Sequence, residues 1–195
     1  MKNLLFAGWL ALILLMPGGS VFAQNTKNKE LLKNFVFMDL KYGRVVIKLY
    51  PKKAPKHVER VKTLIREKFY DGLKFHRVID RFMAQTGDPT GAGNGGSRYP
   101  DLPAEFSKKE TFKRGTVGAA RANDINSANS QFFICYEAAP WLNGKYTIWG
   151  EVVKGMKYLD LINKGHPRTG AVPNPDVIIS MKLAYDDPKD RKEKK

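Results

Sequence analysis

Short apolar runs that alternate with polar residues, each closed by a turn, recur along this chain and restrict it to a mainly β architecture. Phe35 to Leu40 is apolar and aromatic, Lys41-Tyr42-Gly43 can turn, and Val45, Ile47 and Leu49 then alternate with Arg44, Val46 and Lys48. That is the pattern of a β-hairpin. Residues 75–79, 82–85, 116–120, 131–135 and 147–152 read as further short strands, and Val177, Ile179, Met181 and Leu183 alternate as a closing one. Two segments break this rhythm. Pro55 opens a run in which Val58, Val61, Leu64 and Ile65 recur at helical spacing, ended by Asp71-Gly72, and residues 153–162 read as a short second helix. No internal repeat or domain boundary interrupts the series. Many short strands with two helices predict a closed or nearly closed antiparallel β-barrel, which removes exposed strand edges.

The ends of the chain read differently. Lys2, an uncharged run from Leu4 to Met16, the break Pro17-Gly18-Gly19-Ser20 and the small-residue site Val21-Phe22-Ala23 form a secretory signal peptide over residues 1–23. The apolar run is short for a membrane span; a retained N-terminal anchor is the alternative. Residues 24–34 are a polar, flexible lead-in, 35–185 the folded domain, and 186–195 an almost wholly charged, disordered tail. The expected location is periplasmic or secreted. Lys192-Glu193-Lys194-Lys195 is not a Lys-Asp-Glu-Leu retention signal. Cys135 is the sole cysteine, so an exported chain of this kind is held by its core and not by an intrachain disulfide.

The sequence has 34 Lys and Arg against 19 Asp and Glu, a formal net charge of +15. Residues 52–68 carry seven of the cations against two Glu. The plain reading is a solvated helix face; the sharper ones are weak contact with acidic protein or with an anionic membrane surface. Export argues against nucleic acid as partner.

Several machineries are set aside. Gly91, Gly93 and Gly96 match G-x-G-x-x-G, but Ser97-Arg98-Tyr99-Pro100 does not open a helix as a dinucleotide site requires. His57, His76 and His166 lack zinc-ligand spacing, and no G-x-S-x-G elbow appears. Cys135, between Ile134 and Tyr136, reads as an inert, partly buried thiol. No metal or cofactor is expected.

The informative stretches are Phe75-His76-Arg77-Val78-Ile79-Asp80-Arg81-Phe82-Met83-Ala84-Gln85-Thr86-Gly87-Asp88, Asn129-Ser130-Gln131-Phe132-Phe133-Ile134 and Trp141-Leu142-Asn143-Gly144-Lys145-Tyr146. In a strand pair, alternation places Arg77 and Gln85 on one face. With these blocks in this order, the sequence resembles the cyclophilin family of peptidyl-prolyl isomerases from about Phe35 to Tyr185. The resemblance implies an eight-stranded antiparallel barrel capped by two helices, a monomer, and a groove on the barrel's outer surface. It places Arg77, Phe82, Met83, Gln85, Phe133, Trp141, Leu142 and Tyr146 at the family's functional positions. Gly93 and the backbone around Ala122 also line the groove, and the partners are proline-containing unfolded or flexible polypeptides.

The chemistry asks for such residues. The C–N bond before proline has partial double-bond character, with a barrier of about 18–20 kcal/mol. In the twisted transition state the nitrogen lone pair becomes a better hydrogen-bond acceptor, so a guanidinium beside it stabilises the twisted form more than the planar one. Arg77 suits that role, Gln85 donates to substrate backbone and positions Arg77, and Phe82, Met83, Phe133 and Leu142 seat the proline ring. Taken singly, Phe82 and Phe133 read as core and Arg77 as a surface ion-pair partner; their joint order reverses this. Phe75 keeps the core reading, and His76 that of a structural hydrogen-bonding residue.

Departures from the family's usual pattern are visible. Asp80-Arg81 replaces a common Pro-Gly, and Thr86 replaces a small residue beside Gln85, where its branch is expected to crowd the groove floor. Arg121-Ala122-Asn123-Asp124 differs in a loop that tunes recognition beside the proline. Tyr146 stands where many eukaryotic relatives have His. Trp141 occupies the position associated with cyclosporin binding, which makes the drug an expected ligand. Two readings compete with catalysis: a binding or chaperone module without turnover, and an interaction protein using its basic helix.

Overall fold

The computed structural model describes residues 31–187; the signal peptide, most of the lead-in and the end of the charged tail lie outside the described residues. Eight strands form one antiparallel sheet: β1 (Phe35–Leu40), β2 (Gly43–Leu49), β3 (Arg77–Ile79), β4 (Met83–Thr86), β5 (Thr116–Ala119), β6 (Phe132–Cys135), β7 (Ile148–Lys154) and β8 (Ser180–Leu183). Their order is β3-β4-β6-β5-β7-β2-β1-β8. The sheet curls until its two edges meet. They join through a bridge between Lys74 and Val177, just ahead of β3 and β8, and not through a full ladder. Backbone bonds from Gly72 N–H to Ile178 O (2.7 Å) and from Phe75 N–H to Asp176 O (2.8 Å) complete the seam.

The first hairpin follows the sequence, with Phe35 opposite Lys48 and Leu40 opposite Gly43. Helix α1 (Pro55–Arg66) opens on proline, whose missing N–H costs nothing there, and buries Val58, Val61, Leu64 and Ile65. Helix α2 (Met156–Asp160) is shorter than the sequence pattern predicts. Strand β7 continues to Lys154, and Gly155, at φ +87°, turns the chain into the helix.

The apolar residues divide into two clusters. The larger fills the barrel and includes Phe75, Ala84, Phe132, Ile134 and Trp149. The smaller lies outside the sheet and comprises Met83, Phe112, Phe133, Cys135, Ala139, Leu142 and Ile148, with Phe82 and Tyr146 against it. Strand period explains the division, since neighbours in β4 and β6 point to opposite faces. Strand β6 is covered on both sides, so all four of its residues are buried. Cys135 is wholly rather than partly buried, and burial pushes its thiol up to about 12, which keeps it protonated.

Candidate active site

The outer cluster is the floor of a groove. Strand β3 supplies Arg77, the β3–β4 turn Phe82, β4 Met83 and Gln85, β6 Phe133, the short 3₁₀ turn Pro140–Leu142 supplies Leu142, and the loop before β7 Tyr146. With Ala120 and Arg121 these residues line a cavity of about 210 Å³. The pairings Arg77↔Gln85, Gln85↔Phe133 and Gly118↔Phe133 put these positions on one face of the sheet. Gly118 is required there: a Cβ would stand 2.6 Å from Phe133 Cζ and 2.7 Å from Phe112 Cε1. Its absence lets the two rings stack, with centroids 5.6 Å apart.

Arg77 is held from two sides. Its Nε donates to Thr169 O at 3.0 Å, and Nη1 donates to Gln85 Oε1 at 3.2 Å and touches Met83 Sδ at 3.8 Å. Among the described residues Nη2 has no hydrogen-bond partner, so two N–H groups of a fixed, planar cation remain to face a ligand. Burial draws the Arg77 pKa below its ordinary value without making the group neutral at physiological pH.

The Gln85 amide is oriented by its neighbours. Arg77 is only a donor, so Oε1 faces it, and Nε2 donates to Gln131 Oε1 at 2.9 Å. Gln131 Nε2 in turn donates to Gly93 O (3.1 Å) and Gly95 O (2.8 Å). One polar chain therefore runs from the guanidinium to the glycine-rich loop.

Gly93 and Ala122 do not line the apolar cavity. They line its neighbour, a polar space of about 420 Å³ that shares Gln85, Ala120 and Arg121 with it and adds Asp101 and Asn129. Trp141 lines neither cavity. It stands at the rim, 57% exposed, with its ring 5.6 Å from that of Phe82.

One expectation is corrected. Thr86 does not crowd the groove: it lies opposite Phe132 on the barrel face, is fully buried, and donates from Oγ1 to Lys74 O at 2.8 Å. Both nitrogens of His76 are buried with no partner at full hydrogen-bond geometry among the described residues, and burial lowers its pKa against the opposing pull of Asp88, the Lys74 backbone and the Gln131 amide. Sequence reasoning also passed over Gln131 and Ala120 as site residues. Gln131 stands two residues before Phe133, the spacing that shares a strand face, which was the available signal. Arg81 adopts φ +59° in the turn where Pro-Gly is common, a conformation that costs a side chain what it does not cost glycine.

A curled antiparallel barrel with two helices, carrying on its outer face an arginine beside an apolar seat, defines a cyclophilin-type isomerase. The sequence profile described as "Cyclophilin type peptidyl-prolyl cis-trans isomerase/CLD" matches residues 35–183. A Brucella suis protein named "Probable peptidyl-prolyl cis-trans isomerase" is 50% identical over 179 residues, covering 86% of this chain and 91% of its own. The fold is similar to that of a Cryptosporidium parvum cyclophilin type peptidyl-prolyl cis-trans isomerase crystallised in the presence of the dipeptide Ala-Pro. That structure has a TM-score of 0.71 and 28% identity, covering 76% of this chain and 98% of the other. A Hirschia baltica cyclophilin gives a TM-score of 0.71 at 25% identity, covering 81% and 77%. The chain belongs to the cyclophilin family, and its activity is peptidyl-prolyl cis-trans isomerisation.

Proposed function

We propose that this isomerase accelerates proline-limited folding of exported polypeptides, with Arg77 stabilising the twisted amide above an apolar seat for the proline ring. The observation that carries the mechanism is the placement of Arg77. Gln85 and Thr169 fix its fork at the edge of a cavity floored by Met83 and Phe133, and its Nη2 has no hydrogen-bond partner among the described residues. A proline ring against Phe82, Met83, Phe133 and Leu142 sets its nitrogen within reach of that guanidinium. As the amide twists, the nitrogen lone pair localises and accepts a hydrogen bond that the planar amide cannot accept as well. The interaction grows only towards the transition state, which is the requirement for raising turnover. No bond is made or broken, so no nucleophile takes part. The apolar cyclic peptide cyclosporin would occupy the same seat. Export rests on the three-part N-terminal sequence ending at Ala23.

Isomerisation of an Ala-Pro peptide by the purified protein tests this directly. Arg77→Ala should slow turnover by about 10²–10³, the loss typical of removing one transition-state donor. A variant as fast as the parent would remove Arg77 from the mechanism. Fractionation of cells making the full chain should find it outside the cytoplasm with Gln24 at its N-terminus.

A further inference from the structure

Arg121 stands in the wall that the apolar and polar cavities share. Its guanidinium is not left to solvent or to an acid. Nη1 donates to Ala122 O at 2.8 Å and to Asn123 O at 3.3 Å, while Nη2 donates to Lys145 O at 3.0 Å. The guanidinium carbon lies 4.5 Å from the centroid of the Tyr146 ring. Nε is buried and has no partner among the described residues, whereas the Nη1 and Nη2 bonds lie at the surface. One side chain thus ties the loop after β5 to the loop before β7 and covers one face of Tyr146. The edge-on contact with Phe133, at 5.8 Å, fixes the same ring from another direction.

We infer that Arg121 is a positioning residue for substrate binding, holding Tyr146 and the 120–123 loop as the wall along which the chain beside the proline lies. The inference rests on the reading of the apolar cavity as the proline seat. The reasoning is one of geometry. Three backbone carbonyls and an aromatic face surround a planar, delocalised cation, and only a guanidinium serves all four. A lysine ammonium has three donors on a point charge and cannot stack while reaching carbonyls of two loops. Without Arg121 one backbone bond still joins the two segments, from Ala119 N–H to Thr147 O, and Ala122 N–H still donates to Ser127 Oγ within the loop after β5, both at 2.9 Å. The fold therefore does not depend on the guanidinium, whereas the rotamer of Tyr146 does. Arg121 touches the wall and not the twisting bond, so its removal weakens ground state and transition state alike.

The test is a double-mutant cycle on steady-state isomerisation of an Ala-Pro tetrapeptide, with thermal unfolding recorded for each protein. Arg121→Met keeps the aliphatic stem and should raise KM about tenfold with kcat within about twofold of the parent. Arg121→Lys should give no rescue. If Arg121 acts through Tyr146, Arg121→Met combined with Tyr146→Leu should be no worse than the weaker single variant. Multiplicative effects of the two substitutions, full rescue by lysine, or a fall in kcat at unchanged KM would each overturn the inference. Should Arg121→Met fail to fold, Arg121→Lys carries the comparison, and a lysine variant indistinguishable from the parent would overturn it. A parent enzyme that accelerates nothing would instead overturn the proline-seat reading, and the two failures are separate.

Discussion

Glu105 closes on His57 from outside helix α1: its Oε2 lies 2.6 Å from His57 Nδ1 and accepts the His57 backbone N–H at 3.0 Å. The other carboxylate oxygen accepts the Lys56 N–H at 3.0 Å. Ala54 at the N-cap has no side chain for this work, so a residue 48 positions away caps the helix. The carboxylate also meets the positive end of the helix dipole. Glu105→Ala should lower stability by about 2 kcal/mol, because it leaves two first-turn N–H groups and a buried imidazole without their acceptor. Glu105→Gln, which keeps an acceptor oxygen, should lose less. Urea unfolding of the three proteins measures the difference, and equal midpoints would dismiss the cap.

The same contact gives a pH dependence of known sign. Burial lowers the His57 pKa, and the pull of Glu105 in the opposite direction does not overcome it. Nε2 is buried without a partner among the described residues, so a second ring proton would find no acceptor there. The neutral ring with hydrogen on Nδ1 fits this site. Since the folded-state pKa lies below the unfolded value of about 6.5, the unfolded chain binds the extra proton first. The contribution is full above about pH 6.5 and is lost as the pH falls through the folded-state value. Stability should therefore decline from pH 7 to pH 5, and less steeply in His57→Asn, whose amide donor replaces Nδ1–H without titrating in that range.

Periodicity made the first hairpin and helix α1 legible, because each has one covered and one more open face. It failed where that condition failed. Every residue of β6 is buried, so alternation alone could not tell that Phe132 belongs to the barrel and Phe133 to the groove; the family resemblance is what placed Phe133 there. The closing strand shows a different difficulty. Val177 and Ile179 are exposed while Met181 and Leu183 are buried, although all four share one alternation. The phase changes between Ile179 and Ser180, and the regular ladder begins only after it. Contacts such as Arg121 on Tyr146 join loops far apart in sequence and leave no local pattern to read.

Thr86 separates stability from catalysis. Its Oγ1 bond to Lys74 O lies on the barrel side of β4, whereas Gln85 points to the groove. Thr86→Val keeps the shape and removes the hydroxyl, leaving the Lys74 carbonyl short of one donor in a part-buried bond. Stability should fall by about 1–2 kcal/mol while kcat/KM stays within about twofold of the parent. A large loss of turnover in a protein that still unfolds cooperatively would return Thr86 to the groove floor.

Gln131 should matter more than its distance from the proline seat suggests. It accepts from Gln85 and donates to two carbonyls of the glycine-rich loop. Gln131→Leu breaks the relay that holds Gln85 against Arg77, so a loss of about tenfold in kcat/KM is expected. Combined with Gln85→Leu, the loss should be smaller than the product of the two, as for members of one network. Independent effects would show that Gln85 is held without Gln131.

Trp141 offers a test of what the groove binds. Its indole is 57% exposed at the rim against Phe82, while Trp149 is buried in the barrel. An apolar ligand seated on Phe82, Met83 and Phe133 would cover the indole and remove on the order of 50–80 Å² of apolar surface from water. At about 25 cal/mol per Å² this is about 1–2 kcal/mol, or roughly a tenfold change in affinity. Cyclosporin should therefore inhibit the isomerase and shift tryptophan emission to the blue. Trp141→Phe should weaken inhibition about tenfold and abolish most of the spectral change, with catalysis of small peptides largely retained because Trp141 lies outside the proline cavity. Full activity at saturating cyclosporin would mean that the Tyr146 side of the groove, braced by Arg121, leaves no room for a ring of that size.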